Sequence, residues 1–137
     1  MVFYQVHGDL FVIRVAGNLA GPHQIGSLEF AVGELSVPLI LVLGHSGCGA
    51  VGAALDVVGK RGGPPLPSHL GPVVRDISDT IGLPADDRPV NPPITLEQAV
   101  LLNVQGTCQN LLSRSDLLAS RVRTGGLIVR GSVYDLR

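Results

Sequence analysis

Apolar and polar positions follow two rhythms along this chain, one of period two or less and one close to 3.6. Asp9 to Val15, "DLFVIRV", is β-branched and aromatic-rich and reads as a strand, ended by "AGN" at Ala16 to Asn18. Ser27 to Leu35 places Leu28, Ala31, Val32 and Leu35 at helical spacing, with Ser27 as N-cap. Pro38 to Leu43 is a continuous apolar run of strand length, the pattern of a strand covered on both faces. Gly49 to Val58 reads as helix, and Gly59 to Pro67, rich in Gly and Pro, as loop. Ser68 to Ile81 predicts a helix capped by Ser68, with Gly71 and Pro72 in its first turn, and "GLPADDRPVNPP" predicts a second loop. Thr95 to Leu112 is the longest helical pattern, with Leu96, Val100, Val104 and Leu111 near one stripe. Thr95 and Gln98 have capping-box spacing. Ser115 to Val122 predicts a short helix closed by Gly125 and Gly126, and Leu127 to Tyr134, "LIVRGSVY", a last strand. Strands alternating with helices predict an α/β fold, a mainly parallel sheet flanked by helices. Its parallel strands are expected at Asp9–Val15, Pro38–Leu43 and Leu127–Tyr134. No internal repeat is visible, and the length of 137 residues predicts a single domain over residues 1–137.

Composition narrows the picture. The chain is 45% hydrophobic, but with no Trp, three Phe and two Tyr its core must be aliphatic. A chain of this size buries roughly two-thirds of its unfolded surface, enough for one core. The formal net charge of −1 and ten scattered basic residues argue against nucleic acid as a partner, since counterion release needs clustered Lys and Arg. Val37 to Leu43, the longest apolar run, is too short to span a bilayer. No basic segment precedes an apolar one at the N-terminus, so neither a signal peptide nor an anchor is expected. Two cysteines, Cys48 and Cys108, make no disulfide framework, and a reducing, cytoplasmic setting is the expectation.

The chemistry concentrates in "PLILVLGHSGCGAVGAAL", Pro38 to Leu55, a buried strand running through a Gly-rich turn into a helix. Three readings compete. Gly47 to Gly52, "GCGAVG", fits G-x-G-x-x-G after a strand and before a helix, where backbone N–H groups cradle a pyrophosphate. The acidic strand end due about 20 residues later would fall in "GKRGGPPLPSHLGP", which is not a strand. A nucleophile elbow needs G-x-S-x-G, and "GHSGC" has Cys48 in place of the last Gly. Cys48 could act as nucleophile with His45 as base, since a helix N-terminus favours a thiolate, but no group to orient the imidazole is evident. The third reading is zinc. H-x-x-C on a turn brings an imidazole and a thiol together, and zinc takes both donor types but needs at least one further protein ligand.

Beyond single motifs, "GDLFVIRVAGN", "GSLEFAVGELSVPLILVLGHSGCGAV" and "GSVYDL" together resemble the β-class carbonic anhydrases, in order and over nearly the whole chain from Gly8. The resemblance implies a parallel sheet flanked by helices, a homodimer or higher oligomer with its site near the interface, and carbon dioxide and bicarbonate as substrate and product. It implies Zn2+ held by two Cys and one His, with water or an Asp in the fourth position, and assigns His45 and Cys48 to two of those places. In this reading the protein is a carbonate dehydratase, a lyase.

One departure stands out. The family's other ligand Cys, and the Asp–Arg pair that orients the nucleophile, lie in a C-x-D-S-R motif ahead of the "GDLF" strand, and this sequence contains none. The catalytic pair is therefore unassigned. The same segment forms, in the family, an interior strand between those matching Asp9–Val15 and Pro38–Leu43. Its loss would leave two backbone edges unpaired, each unmet buried group costing roughly 1–3 kcal/mol. Cys108, mid-helix beside Leu111, reads as a buried structural thiol; His7, His23 and His69 read as solvated; Asp9 and Arg14 belong to a different strand from the lost pair. The expectation is an N-terminally incomplete form of an enzyme, with activity of this chain alone in doubt. The alternatives are a catalytically dead relative that binds or assembles, or a related zinc hydrolase of another small linear molecule.

Overall fold

A computed structural model describes residues 5–6, 8–58, 66–84 and 90–136. Elements run α1 (Pro22–Gly33), β1 (Leu39–His45), α2 (Gly49–Val58), α3 (Leu70–Ile81), α4 (Leu96–Arg114), α5 (Asp116–Arg123) and β2 (Ile128–Tyr134), preceded by a 3-10 turn at Ala16–Asn18. The two strands pair in parallel, Leu39 opposite Ile128 through His45 opposite Tyr134. The fold is the expected α/β arrangement of a parallel sheet flanked by helices.

Helix α4 organises the interior. Its Thr95 Oγ1 accepts from Gln98 N–H while Gln98 Oε1 accepts from Thr95 N–H, the expected capping box. Val100, Val104 and Leu111 are buried along it. One cluster forms between α2, α3 and α4 around Val51, Ala54, Val74, Ile77 and Val100. A second gathers Ile25, Val32, Ile40, Val42, Val104, Leu111 and Leu118 between α1, the sheet, α4 and α5. Where helices meet closely, glycine is required: a Cβ on Gly106 of α4 would run into the Thr80 carbonyl of α3.

Several boundaries differ from the sequence reading. Helix α1 starts at Pro22, whose fixed φ suits the first helical position, so Ser27 lies inside the helix and its Oγ donates to the His23 carbonyl at 2.8 Å. His69 rather than Ser68 precedes α3, with no side-chain capping bond. Ser115 does cap α5, its Oγ accepting from Leu118 N–H. Most of the two expected loops, residues 59–65 and 85–89, lies outside the described residues.

Two expectations about the sheet need correcting. Residues 9–15 form no strand: among the described residues nothing pairs with them, and Leu10, Phe11 and Val12 are 49%, 45% and 65% exposed. A strand exists through its ladder, and composition alone cannot supply the neighbour. β1 is also not covered on both faces. Ile40, Val42 and Gly44 point inward, whereas Leu39, Leu41 and His45 are exposed, because the described elements pack only against the face that α4 crosses.

Candidate metal-binding turn

The turn from β1 into α2 is shaped by close packing beneath it. Gly44 sits where a Cβ would lie 2.6 Å from Val104 Cγ2, so only glycine lets the strand end this close to α4. Gly47 has φ +68°, the left-handed region glycine enters without strain. Between and beyond these two residues the turn presents His45, Ser46 and Cys48.

His45 is the last residue of β1 and exposed; Cys48 immediately precedes α2 and is 4% exposed. The Cys48 carbonyl accepts from Gly52 N–H at 3.0 Å, which makes Cys48 the first link of the helix. Its side chain packs in the cluster of Val51 and Ala54. One candidate ligand is thus set by the core and the other stands at a strand end.

The other candidate residues do not join them. No group of three or more His, Cys, Asp or Glu able to hold a metal ion occurs among the described residues. Cys108 is on α4, its Sγ 3.4 Å from where a Cβ on Gly131 of β2 would be, and burial pushes its thiol above the ordinary value despite an opposing backbone hydrogen bond. It is half-buried between α4 and β2, less enclosed than the buried thiol that the sequence suggested. His23 and His69 are exposed at the starts of α1 and α3. His7 lies outside the described residues. Asp9 accepts from Val6 N–H at 3.2 Å, and Asp9 and Arg14 are exposed in the unpaired segment, away from any strand ladder.

Sequence reasoning missed two sets of contacts here. "AGN", a strand end and part of a block that carries the resemblance, is also anchored beneath the turn. Buried Asn103 donates through Nδ2 to the Gly17 carbonyl at 2.7 Å and to Asn18 Oδ1 at 3.3 Å. Asn18 in turn donates to Thr107 Oγ1 at 3.5 Å. Gly17 has φ +68° and fits where a Cβ would meet Ile77 Cδ1 at 2.6 Å. The second set joins Ser46 to the chain after β2: Ser46 Oγ donates to Asp135 Oδ1 at 3.0 Å. The signal was present in "GHSGC" and "GSVYDL", two blocks that carry the resemblance, but their spacing of 89 residues hides the contact.

The pair fits zinc in kind, one imidazole and one thiol flanking a tight turn, and falls short in number. Catalytic zinc sites use three protein ligands, and no group of three candidate donors occurs among the described residues.

Comparison with known proteins adds an independent line. The profile of a family described as carbonic anhydrase matches residues 1–137. The chain is similar to carbonic anhydrase 2 of Mycobacterium tuberculosis (strain CDC 1551 / Oshkosh), 36% identical over 137 residues, covering 99% of this chain and 63% of that protein. It is also similar to the carbonic anhydrase of Mycolicibacterium smegmatis, 34% identical over 145 residues, with the same 99% and 63% coverage. Among solved structures, the Coccomyxa beta-carbonic anhydrase in complex with acetazolamide superimposes with a TM-score of 0.74 at 27% identity, over 94% of this chain and 58% of that one. The beta-carbonic anhydrase CafA of Aspergillus fumigatus gives 0.67 at 25% identity, over 95% and 61%. The chain spans 63% of the length of these two curated relatives.

Proposed function

Because the chain belongs to the β-class carbonic anhydrases, we propose that its chemistry is the reversible hydration of carbon dioxide to bicarbonate at a zinc centre for which His45 and Cys48 are two of the ligands. The observation that carries this reading is the turn itself: an imidazole and a thiol bracket a glycine-shaped bend between a strand end and a helix start. Zinc, when bound, acts as a Lewis acid that makes a nucleophile of water near neutral pH. The chain's own contribution is to hold the donors. Core packing sets Cys48 just ahead of α2, and the β1–β2 ladder sets His45 at the end of β1.

Two donors do not fix an ion with an open position, and the Asp–Arg pair of the family has no counterpart at this turn. The 137-residue chain by itself is therefore expected to hold zinc weakly and to hydrate carbon dioxide poorly. A form carrying a C-x-D-S-R segment ahead of Met1 is expected to do both. In that form His45→Ala or Cys48→Ser should abolish zinc binding and turnover together. A zinc-loaded but inactive extended form would contradict carbonic anhydrase activity and point to another small linear substrate.

The shortfall in donors also favours a second reading, a family relative that binds or assembles without catalysis. Both readings take the working form to be a homodimer or higher oligomer, supported by the exposed Phe11, Val12, Leu39 and Ile128. Sedimentation showing only monomer would count against that assembly. Free thiols at Cys48 and Cys108 are in keeping with a reducing, cytoplasmic location.

A further inference from the structure

The His45–Cys48 turn is tied down at its middle. Ser46 N–H donates to the Tyr134 carbonyl at 2.9 Å, extending the strand ladder one residue past His45 and its partner Tyr134. Ser46 Oγ donates to Asp135 Oδ1 at 3.0 Å and accepts from Leu136 N–H at 2.8 Å. Three bonds from consecutive residues thus converge on the residue beside one proposed ligand. The direction of the hydroxyl matters most. A serine Oγ carries one hydrogen and two lone pairs; committing the hydrogen to a carboxylate fixes the rotor and turns a lone pair toward Leu136. The two ligands need this support unequally. Cys48 is packed in the core, whereas His45 is exposed at the end of β1 and gains no such packing.

We propose that Asp135 is a positioning residue that acts through Ser46, fixing the turn that joins the strand end carrying His45 to the helix start carrying Cys48. This rests on the reading of His45 and Cys48 as ligands. Groups that orient metal ligands from behind are usually worth 10- to 100-fold in affinity. The clasp of Asp135 on Ser46 acts one step further back, on the turn rather than on a ligand, which puts its expected effect at the low end of that range.

The test uses the isotope-labelled 137-residue chain with Asp135→Ala, Ser46→Ala, their combination and Ser46→Thr. Amide exchange at Ser46 and Leu136 is measured without metal, and Cd2+ is titrated alone while the His45 and Cys48 resonances are followed. Each alanine variant is expected to speed exchange at both amides and to weaken Cd2+ binding by about tenfold or more. The losses should not add: the double variant should fall short of their sum, since the two substitutions share the Ser46–Asp135 link. Ser46→Thr, which keeps the hydroxyl, should stay close to the parent chain. A lowered thermal midpoint with unchanged Cd2+ affinity would overturn the positioning role. Absence of any Cd2+ response in the parent chain would overturn the ligand reading instead. The clasp would then be judged on exchange alone: faster exchange in both alanine variants supports it, and unchanged exchange overturns it.

Discussion

Residues 9–15 and β1 are two segments of equal length and similar aliphatic character that come to different ends. In β1, Ile40 and Val42 face the core while the backbone pairs with β2. In residues 9–15, Leu10, Phe11 and Val12 stand in solvent and no described strand pairs with them. The difference lies in what surrounds each segment. β1 has α4 beneath it and β2 beside it; the earlier segment meets its fixed surroundings only afterwards, at the Ala16–Asn18 turn held by Asn103. Apolar content creates a demand for burial, and topology decides whether that demand is met.

The largest effect that separates the two segments is expected from side-chain truncation. Ile40→Ala should cost about 2–5 kcal/mol, the range for removing a buried aliphatic side chain. Val12→Ala, in the exposed segment, should change the stability of the monomeric chain by no more than about 0.5 kcal/mol. Denaturant midpoints at fixed slope measure both, and comparable losses would mean that residues 9–15 are buried in solution, by assembly for instance.

A smaller effect sharpens the account of β1. Gly44→Ala brings a methyl group against Val104 Cγ2, and forced overpacking of this sort costs about 1–3 kcal/mol. Combining it with Val104→Ala should recover part of the loss. Equal stability of Gly44→Ala and the parent chain would show that the strand end is looser than described.

The smallest effect is a pH dependence on the inner face of the sheet. The Cys108 thiol is raised above its ordinary value of 9.0, chiefly by burial. A raised thiol favours the protonated folded state, so its contribution is fully present below the unfolded value and is lost as pH rises through the folded one. Stability should therefore fall through the alkaline range above about pH 9 by more in the parent chain than in Cys108→Ala. Identical pH profiles would remove Cys108 from the packed interface between α4 and β2.

Legibility from sequence divides along the same line. Helix α2 follows directly from "GCGAVGAALDVV", and α4 from its stripe and its capping box, because these signals are local. The candidate turn was legible for the same reason, with His45 and Cys48 three residues apart. What could not be read depends on distant partners. The strand expected at residues 9–15 fails for want of the neighbour that the resemblance places in the C-x-D-S-R segment, which the composition of residues 9–15 alone does not register. The start of α1 at Pro22 is the exception, a local signal from proline at the first helical position. Asp135 meets Ser46 across 89 residues, and Asn103 meets Gly17 across 86, distances at which only the folded chain shows the contact.

His45 and Cys48 are proposed as part, but only part, of a zinc centre. Zinc content of the purified 137-residue chain, measured before and after dialysis against a mild chelator, tests it most directly beside His45→Ala and Cys48→Ser. Weakly held zinc that dialysis removes is expected, and still less in either variant. One tightly bound zinc per chain, or zinc uptake that ignores both substitutions, would contradict it.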